Sequence, residues 1–578
     1  MKKRYQAAIL LAIVLVMSLI SAGCGPEPST NTTVTEAPKK TGPSTEKADL
    51  QKEYALADNE ALVLVDALPS EEKGLVQGGK NYIPLTVASQ MDARFYWNET
   101  ENRLFFTNAE KRYGFTPGES SHTEGDQTVS DAAPMLLSHN GKIYISADMI
   151  RSFGHIRVTE ATNPSRILLM GVGKGVLHAS VKASEGTIMR TGRDESFPII
   201  AELAKGTTFY LAEELSGYSW TKVVTEDGRI GYVNNLETTT YSETTILGEV
   251  EEAPYENHRL SKKVSMAWHS VGKAGVADFS DRIKGASCMN VISPTWFSII
   301  NVDGTISSLA STEYVNAAHK AGLKVWALCD DFAEGVPGIE VLSSTAHRDN
   351  LVKNLVGEVT RVGADGINID FEFITKDSAP HFLQFLRELY IACKDKGLTI
   401  STDNYYPNKL NEYYRLDIQK ECVDYIIFMG YDEYHKKSTS AGPVASLSFV
   451  KNGVDGMLKK VPANQLILGV PFFSRKWTTK TDDDGNVTVS STAEGMEAMR
   501  SYVKQAGTKF SIDEKTGLNY AALRTSADGL IQIWLQDAEF IKKEMNIARE
   551  NQLAGVSAWR LGYETKDAWE EIKKFVAD

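Results

Sequence analysis

The run Gly363-Ala364-Asp365-Gly366-Ile367-Asn368-Ile369-Asp370-Phe371-Glu372-Phe373 constrains the fold more than any other stretch of the chain. Its core alternates strictly. Asn368, Asp370 and Glu372 fall on one face of an extended segment, and Ile367, Ile369, Phe371 and Phe373 on the other. In an antiparallel sheet such a polar row is simply the solvent face. Here amphipathic helical patterns lie on both sides, at 345–362 and 380–396, so the strand belongs to a β/α alternation whose helices cover the outer face. The polar row then points into a barrel or crevice, where carboxylates are costly to bury unless paired or used. The row therefore marks a site.

From about residue 259 to the C-terminus, strands and helices alternate as in an α/β chain that closes into a (β/α)8 TIM barrel. The pattern predicts strands at 264–267, 289–295, 324–329, 366–371, 398–402, 425–429, 465–470 and 555–559, with helices between them. Such a barrel carries its chemistry where the strands end at the C-terminal face. The residues at those ends are Trp268, Trp296, Asp330, Glu372, Asp403, Tyr431, Asp432 and Trp559. A ring of carboxylates and aromatics suits a sugar, because aromatic faces stack on pyranose rings and carboxylates handle protons and hydroxyls.

Residues 365–372, DGINIDFE, resemble the DGxDxDxE signature of family 18 glycoside hydrolases, the chitinase-like enzymes. Asn368 stands where that family has its second Asp. The final Asp and Glu are intact, whereas the family's binding-only members lose the Glu. Phe428-Met429-Gly430-Tyr431-Asp432 looks like the MxYD segment after the sixth strand, and Ser557-Ala558-Trp559 like the Trp that ends the eighth and floors the pocket. Leu468-Gly469-Val470-Pro471-Phe472 fits the seventh strand, and a stretch at about 480–530 looks like a reduced form of the family's α+β insertion. The likeness spans about 264–564. Within the family it is strongest to the spore-associated and cell-wall enzymes, in which Asn at the earlier position is usual, and this shifts the expected substrate from chitin to peptidoglycan.

The resemblance implies retaining hydrolysis with the substrate's own N-acetyl group as nucleophile. Glu372 would be the general acid, Asp370 would orient the N-acetyl group, and Tyr431 would hydrogen-bond it. Asn368, Met429, Asp432, Trp559, Trp268, Trp296, Asp330 and Asp403 would line the bound sugar. Glu372 must then hold a proton near neutral pH, so burial and Asp370 are expected to raise its pKa. If Asp370 swings between partners during the cycle, Asn368 can hydrogen-bond it but cannot share its charge. Two alternatives stay open: a chitinase or endo-N-acetylglucosaminidase acting on foreign glycans, and a non-catalytic glycan-binding lipoprotein in which Asn368 marks a decayed site. Nothing suggests a metal or cofactor.

The N-terminus carries targeting information. Lys2, Lys3 and Arg4 precede an apolar run at 7–20 and then Ser-Ala-Gly-Cys at 21–24, a signal peptide in form. The small residues before Cys24 resemble a bacterial lipobox, with Ser21 where Leu is usual. This implies a lipid on Cys24 and a place on the outer face of the cell membrane, with cleavage and secretion as the alternative. Residues 25–50, rich in Pro, Ser, Thr, Glu and Lys, predict a disordered tether.

Residues 51–172 contain a duplicated strand–helix–hairpin unit. Gly79-Lys80-Asn81-Tyr82-Ile83-Pro84-Leu85 recurs as Gly141-Lys142-Ile143-Tyr144-Ile145-Ser146. The unit resembles a small α+β domain first described at the N-terminus of copper amine oxidases, without a His cluster that could hold copper. In residues 173–242 short strands alternate with Gly-marked turns. They resemble a bacterial Src-homology-type β-barrel, a family often found on peptidoglycan. Tyr218 and Trp220 are its candidate binding aromatics, and Trp220 reads equally well as core. Cys288, Cys329, Cys393 and Cys422 show no metal or redox spacing and read as reduced core residues. A net charge of −13 argues against nucleic acid as a partner and leaves wall glycans open.

Overall fold

The structure is a computed structural model that describes residues 42–577 apart from 216, 249–252, 274, 277 and 526–528. The expected signal peptide, Cys24 and tether residues 25–41 lie outside the described residues. Eight parallel strands form the C-terminal half: β1 (Val264–His269), β2 (Val291–Ile299), β3 (Lys324–Asp330), β4 (Gly366–Asp370), β5 (Thr399–Asn404), β6 (Tyr425–Met429), β7 (Leu466–Pro471) and β8 (Gly555–Trp559). Each pairs with its sequence neighbour, and β8 pairs back onto β1, so the barrel is closed. This is the (β/α)8 fold that the alternation predicts.

Parallel strands covered on both faces must be apolar on both, and the two faces feed two cores. Inward side chains, among them Met266, Trp268, Leu328, Tyr425 and Ile467, fill the barrel. Outward ones, including Ile367, Ile369 and Phe371, join a larger core beneath the helices. Two of those helices frame β4: α1 (Thr345–Val362) before it and α2 (Ala379–Lys394) after it. The Ser344 hydroxyl accepts from the His347 N–H at the start of α1, and Gly363, at φ 77°, turns the chain out of its end. Asp365 then ties the entry of β4 to its neighbour. Its carboxylate accepts from the Val325 N–H (2.9 Å), Lys324 Nζ (2.7 Å) and His319 Nε2 (2.7 Å).

Directly after β7 the chain leaves the barrel for a five-stranded antiparallel sheet, running from Phe473–Thr481 to Gly529–Leu535, with the helix Met496–Gln505 packed on it. The excursion thus starts a few residues before the expected 480.

In the N-terminal repeat, each copy gives a hairpin followed by a short helix. Gly74–Gln77 and Lys80–Pro84 lead into Leu85–Met91; Leu136–His139 and Lys142–Ser146 lead into Ala147–Phe153. The two copies pair with each other through Lys80–Pro84 and Lys142–Ser146, so that Ile83 opposes its repeat equivalent Ile145. After the helices the copies diverge. The second copy's strands join the same sheet through Glu60–Val65, whereas the first copy's open a separate meander from Phe95–Asn98 to Gln127–Ser130. Residues 175–245 form a third, seven-stranded sheet.

Residues 44–48, expected as tether, instead run beside the edge strand Ile199–Leu203. The Ser44 N–H donates to the Glu195 carbonyl (2.7 Å) and the Ala48 N–H to the Ile199 carbonyl (2.7 Å). An open sheet edge offers such bonds to a segment that has no apolar side chains to bury.

The meander grips the barrel at α1 and α2. The Glu101 carboxylate accepts from the Thr345 N–H and hydroxyl (2.7 Å each) and so caps α1. Arg112 reaches Asp349 (2.7 Å) on α1 and Glu388 (2.9 Å) on α2. Glu388 also pairs with Arg348 (2.8 Å), which is fully buried. Gln384 donates to the Thr107 hydroxyl (2.8 Å), and Ala109 sits in the barrel's own outer core.

Candidate active site

The polar row of β4 faces the barrel axis. Asn368 is wholly buried, and each half of its amide has two partners. Oδ1 accepts from Trp268 Nε1 (2.9 Å) and the Ser293 hydroxyl (3.3 Å); Nδ2 donates to the Ser401 hydroxyl (3.1 Å) and to Asp403 Oδ1 (2.9 Å). None of these bonds goes to Asp370. The amide is fully committed to its neighbours on β1, β2 and β5.

Asp370, one step up the row, is 7% exposed, and its Oδ1 is buried with no hydrogen-bond partner. Burial holds its carboxyl well above the usual carboxylate range, reinforced by the charges of Asp403 and Glu372. Asp403 is raised in the same way by burial, with the Asn368 bond opposing. Glu372 is raised by burial and by Asp432 and Asp330, while a hydrogen bond from the Tyr405 hydroxyl to its Oε2 pulls the other way. Three carboxyls with raised pKa values thus sit together at one barrel mouth.

The aromatic floor is built at the junction of β1, β6 and β8. Trp559 ends β8 half-exposed, 5.9 Å from the Trp268 ring, and the Tyr431 ring meets Trp268 edge-on at 6.5 Å. Gly430 lets the chain turn up to Tyr431, because a Cβ there would lie 2.6 Å from the Gly469 carbonyl oxygen. Met429 closes β6 almost buried, and Asp432 follows in the left-handed region at φ 58°, 3.7 Å from Arg475 on the excursion. Asp330, at the end of β3, accepts from the Ser298 hydroxyl (2.5 Å) and the Phe332 N–H (3.2 Å).

Two expected sugar contacts are placed differently. Trp296 sits where the pairing of β2 with β3 shifts register between Thr295 and Phe297, and its ring turns outward together with that of Phe297. It packs 5.1 Å from Tyr314 in the core beneath the helices and does not face the site. Trp268 does point inward but is 1% exposed, so it supports Asn368 and the Trp559 floor from below and offers no face to a sugar.

The structure adds residues that the sequence did not single out. Tyr405 lies against Glu372, Arg475 beside Asp432, and Ser293 and Ser401 under Asn368. Asp331 accepts the N–H groups of Glu372 (2.9 Å) and Phe373 (3.1 Å). Phe373, placed by alternation on the apolar face, lies past the end of β4 and is 62% exposed, against the also exposed Phe332 (5.7 Å). Among the described residues no group of three His, Cys, Asp or Glu side chains is arranged to hold a metal ion.

The C-terminal half is similar to known proteins. The sequence model for glycosyl hydrolases family 18 matches residues 339–564, which take in β4 to β8 and the excursion. The chain is 24% identical over 311 residues to the uncharacterized glycosylase YvbX of Bacillus subtilis, covering 52% of this chain and 88% of that one. It is 23% identical over 240 residues to the cortical fragment-lytic enzyme of Bacillus subtilis, covering 40% of this chain and 54%, about half, of that relative. Among solved structures, a chitinase from Chromobacterium violaceum superposes with a TM-score of 0.49 at 18% identity, over 55% of this chain and 99% of that one. The C-terminal half of the chain is thus similar to the family 18 glycosyl hydrolases, whose model matches residues 339–564.

Proposed function

We propose that the protein is an exported, lipid-anchored glycosidase that hydrolyses β-1,4-linked N-acetylhexosamine glycans, with peptidoglycan as its substrate, by a retaining mechanism in which the substrate's acetamide is the nucleophile. The observation that carries the mechanism is Asp370: a buried carboxyl whose Oδ1 has no hydrogen-bond partner, beside Glu372, whose pKa burial raises, and near the Trp559 floor. An unmet buried acceptor at a barrel mouth is a place kept for a ligand donor.

With a sugar seated on Trp559, its acetamide N–H donates to Asp370 and its carbonyl oxygen attacks the anomeric carbon. Glu372 gives its proton to the glycosidic oxygen as that bond breaks, and the leaving sugar departs with the proton. The new hydrogen bond favours the ionised form of Asp370, any proton on it passing to solvent as the sugar binds, and the negative charge offsets the oxazolinium positive charge. Tyr431 holds the acetamide in line. Water, deprotonated by the now ionised Glu372, then attacks the same carbon and opens the oxazolinium with net retention.

Peptidoglycan is favoured by the relationship to a cortical fragment-lytic enzyme and by Asn in place of the second Asp. The basic, apolar and small-residue segments ending at Cys24 support export and lipid attachment. The two small N-terminal units would space the barrel from the membrane or contact the wall.

The deciding experiment digests purified peptidoglycan and chitin oligomers with the wild type and with Glu372→Gln, reading products by mass spectrometry. New reducing ends from peptidoglycan are expected from the wild type, with turnover down about 10²- to 10⁴-fold in the variant. Chitin cleavage alone would make it a chitinase, and no cleavage with retained wall binding would make it a binding protein. Steady hydrolysis of a polymer lacking N-acetyl groups would overturn the substrate-assisted step.

A further inference from the structure

β4 ends at Asp370, so Glu372 stands two residues beyond the last position held by the sheet. A side chain that must deliver a proton to one oxygen cannot hang from a loose turn. The turn is held by neighbours on both sides. Tyr414 donates its hydroxyl to the Phe371 carbonyl (3.2 Å), and the two successive N–H groups of Glu372 and Phe373 go to the two oxygens of Asp331, at 2.9 and 3.1 Å. Asp331 is 8% exposed and directly follows β3. The turn that presents it is fixed in its own right, since the Phe332 N–H folds back to Asp330 Oδ1 (3.2 Å), which is itself held by Ser298 (2.5 Å).

We propose that Asp331 is a positioning residue for the general acid: its carboxylate takes the place of a neighbouring strand past the end of β4 and fixes the direction in which Glu372 holds its proton. The inference rests on the acid role of Glu372 proposed above. Two adjacent N–H groups form a small anion-binding concavity that a carboxylate fills with both oxygens, in charge-assisted bonds about twice as strong as neutral ones. An amide has a single acceptor oxygen and would turn an N–H against one of the two donors.

The same carboxylate acts on the acid through space. Glu372, Asp370, Tyr414 and Cys329 are the titrating groups that face it. Burial pushes the Asp331 carboxyl up to about 6, the charge of Glu372 adds to this, and the two N–H bonds oppose it. Repulsion between two carboxylates is mutual, so ionised Asp331 helps Glu372 keep its proton. Removing that charge lowers the pKa of Glu372.

The test compares the wild type with Asp331→Asn and Asp331→Ala in the full chain. Turnover is followed on a fluorogenic β-1,4-linked N-acetylglucosamine oligomer across pH, and hydrogen exchange is followed on the peptide 371–378. Asp331→Asn is expected to lower kcat about ten- to a hundredfold with KM changed less than about threefold. The basic limb of kcat/KM should move to lower pH, and exchange at 372 and 373 should speed up while the thermal midpoint holds. Asp331→Ala should lose more activity. An Asp331→Asn enzyme with more than half the wild-type kcat and an unmoved basic limb overturns the proposal. So does a loss of activity that only follows a fall in thermal midpoint. If the wild type cleaves neither this oligomer nor peptidoglycan, the acid role fails instead, and the exchange comparison alone decides whether Asp331 holds the turn: unchanged exchange in the variant overturns it.

Discussion

At Asn368 two donors and two acceptors meet on one amide, and no other side chain of its size can satisfy all four. A carboxylate there would set a second charge against Asp403 and leave Ser401 and Asp403 without their donor. Asn368→Asp is therefore expected to cost about 1–3 kcal/mol at pH 8, and less near pH 5, where a protonated Asp can donate once. Thermal midpoints of variant and wild type across that range check it; a constant difference would count against the argument. Asp331 gives a second pH effect whose sign can be worked out. Its folded pKa of about 6 lies above the unfolded value, so the stability it confers is present at low pH and is lost as pH rises through 6. The midpoint of Asp331→Asn relative to wild type should accordingly climb between pH 4 and 7. At this scale alternation made the inward row of β4 legible, but not what each residue binds. Trp296 sits at a strand end yet on the wrong face, and in the pair Asp330-Asp331 nothing in the sequence says which one reaches across to the acid.

The elements were legible where burial forces a pattern. Parallel barrel strands are apolar on both faces and separated by amphipathic helices, so all eight appear in the sequence within a few residues of their bounds. The meander strands Ser121–Glu124 and Gln127–Ser130 are polar and mostly open to solvent, and no periodicity gives them away. Nor does the sequence say that α1 and α2, the helices framing the acid-bearing strand, are coupled by a buried ion network. Arg348 is fully buried, Glu388 is 7% exposed, and although burial pushes Glu388 up, Arg348 and Arg112 outweigh it and hold the carboxyl below its usual range. Arg348→Ala leaves Glu388 buried with Arg112 as its remaining cation, and it should cost about 3 kcal/mol or more. Urea unfolding followed by tryptophan fluorescence measures this. A loss under about 1 kcal/mol would mean that Arg112 alone neutralises Glu388.

For the whole molecule, the sequence divides the chain at its changes of pattern, and the packing does not respect those divisions. The meander that begins inside the N-terminal repeat lends Ala109 to the outer core of the barrel, caps α1 with Glu101 and reaches Glu388 through Arg112. The repeat and the barrel are thus expected to melt in one calorimetric transition, and two separate peaks would show that the contact adds little. The grip also bears on any attempt to work with pieces. A barrel cut free at residue 259 would bring to its surface Gln384, Glu388 and Arg348, a helix end without its cap and a gap where Ala109 was. Such a fragment keeps its catalytic mouth yet carries a raw flank, and poor solubility or clumping in a trimmed enzyme would report on that flank and say nothing about its chemistry.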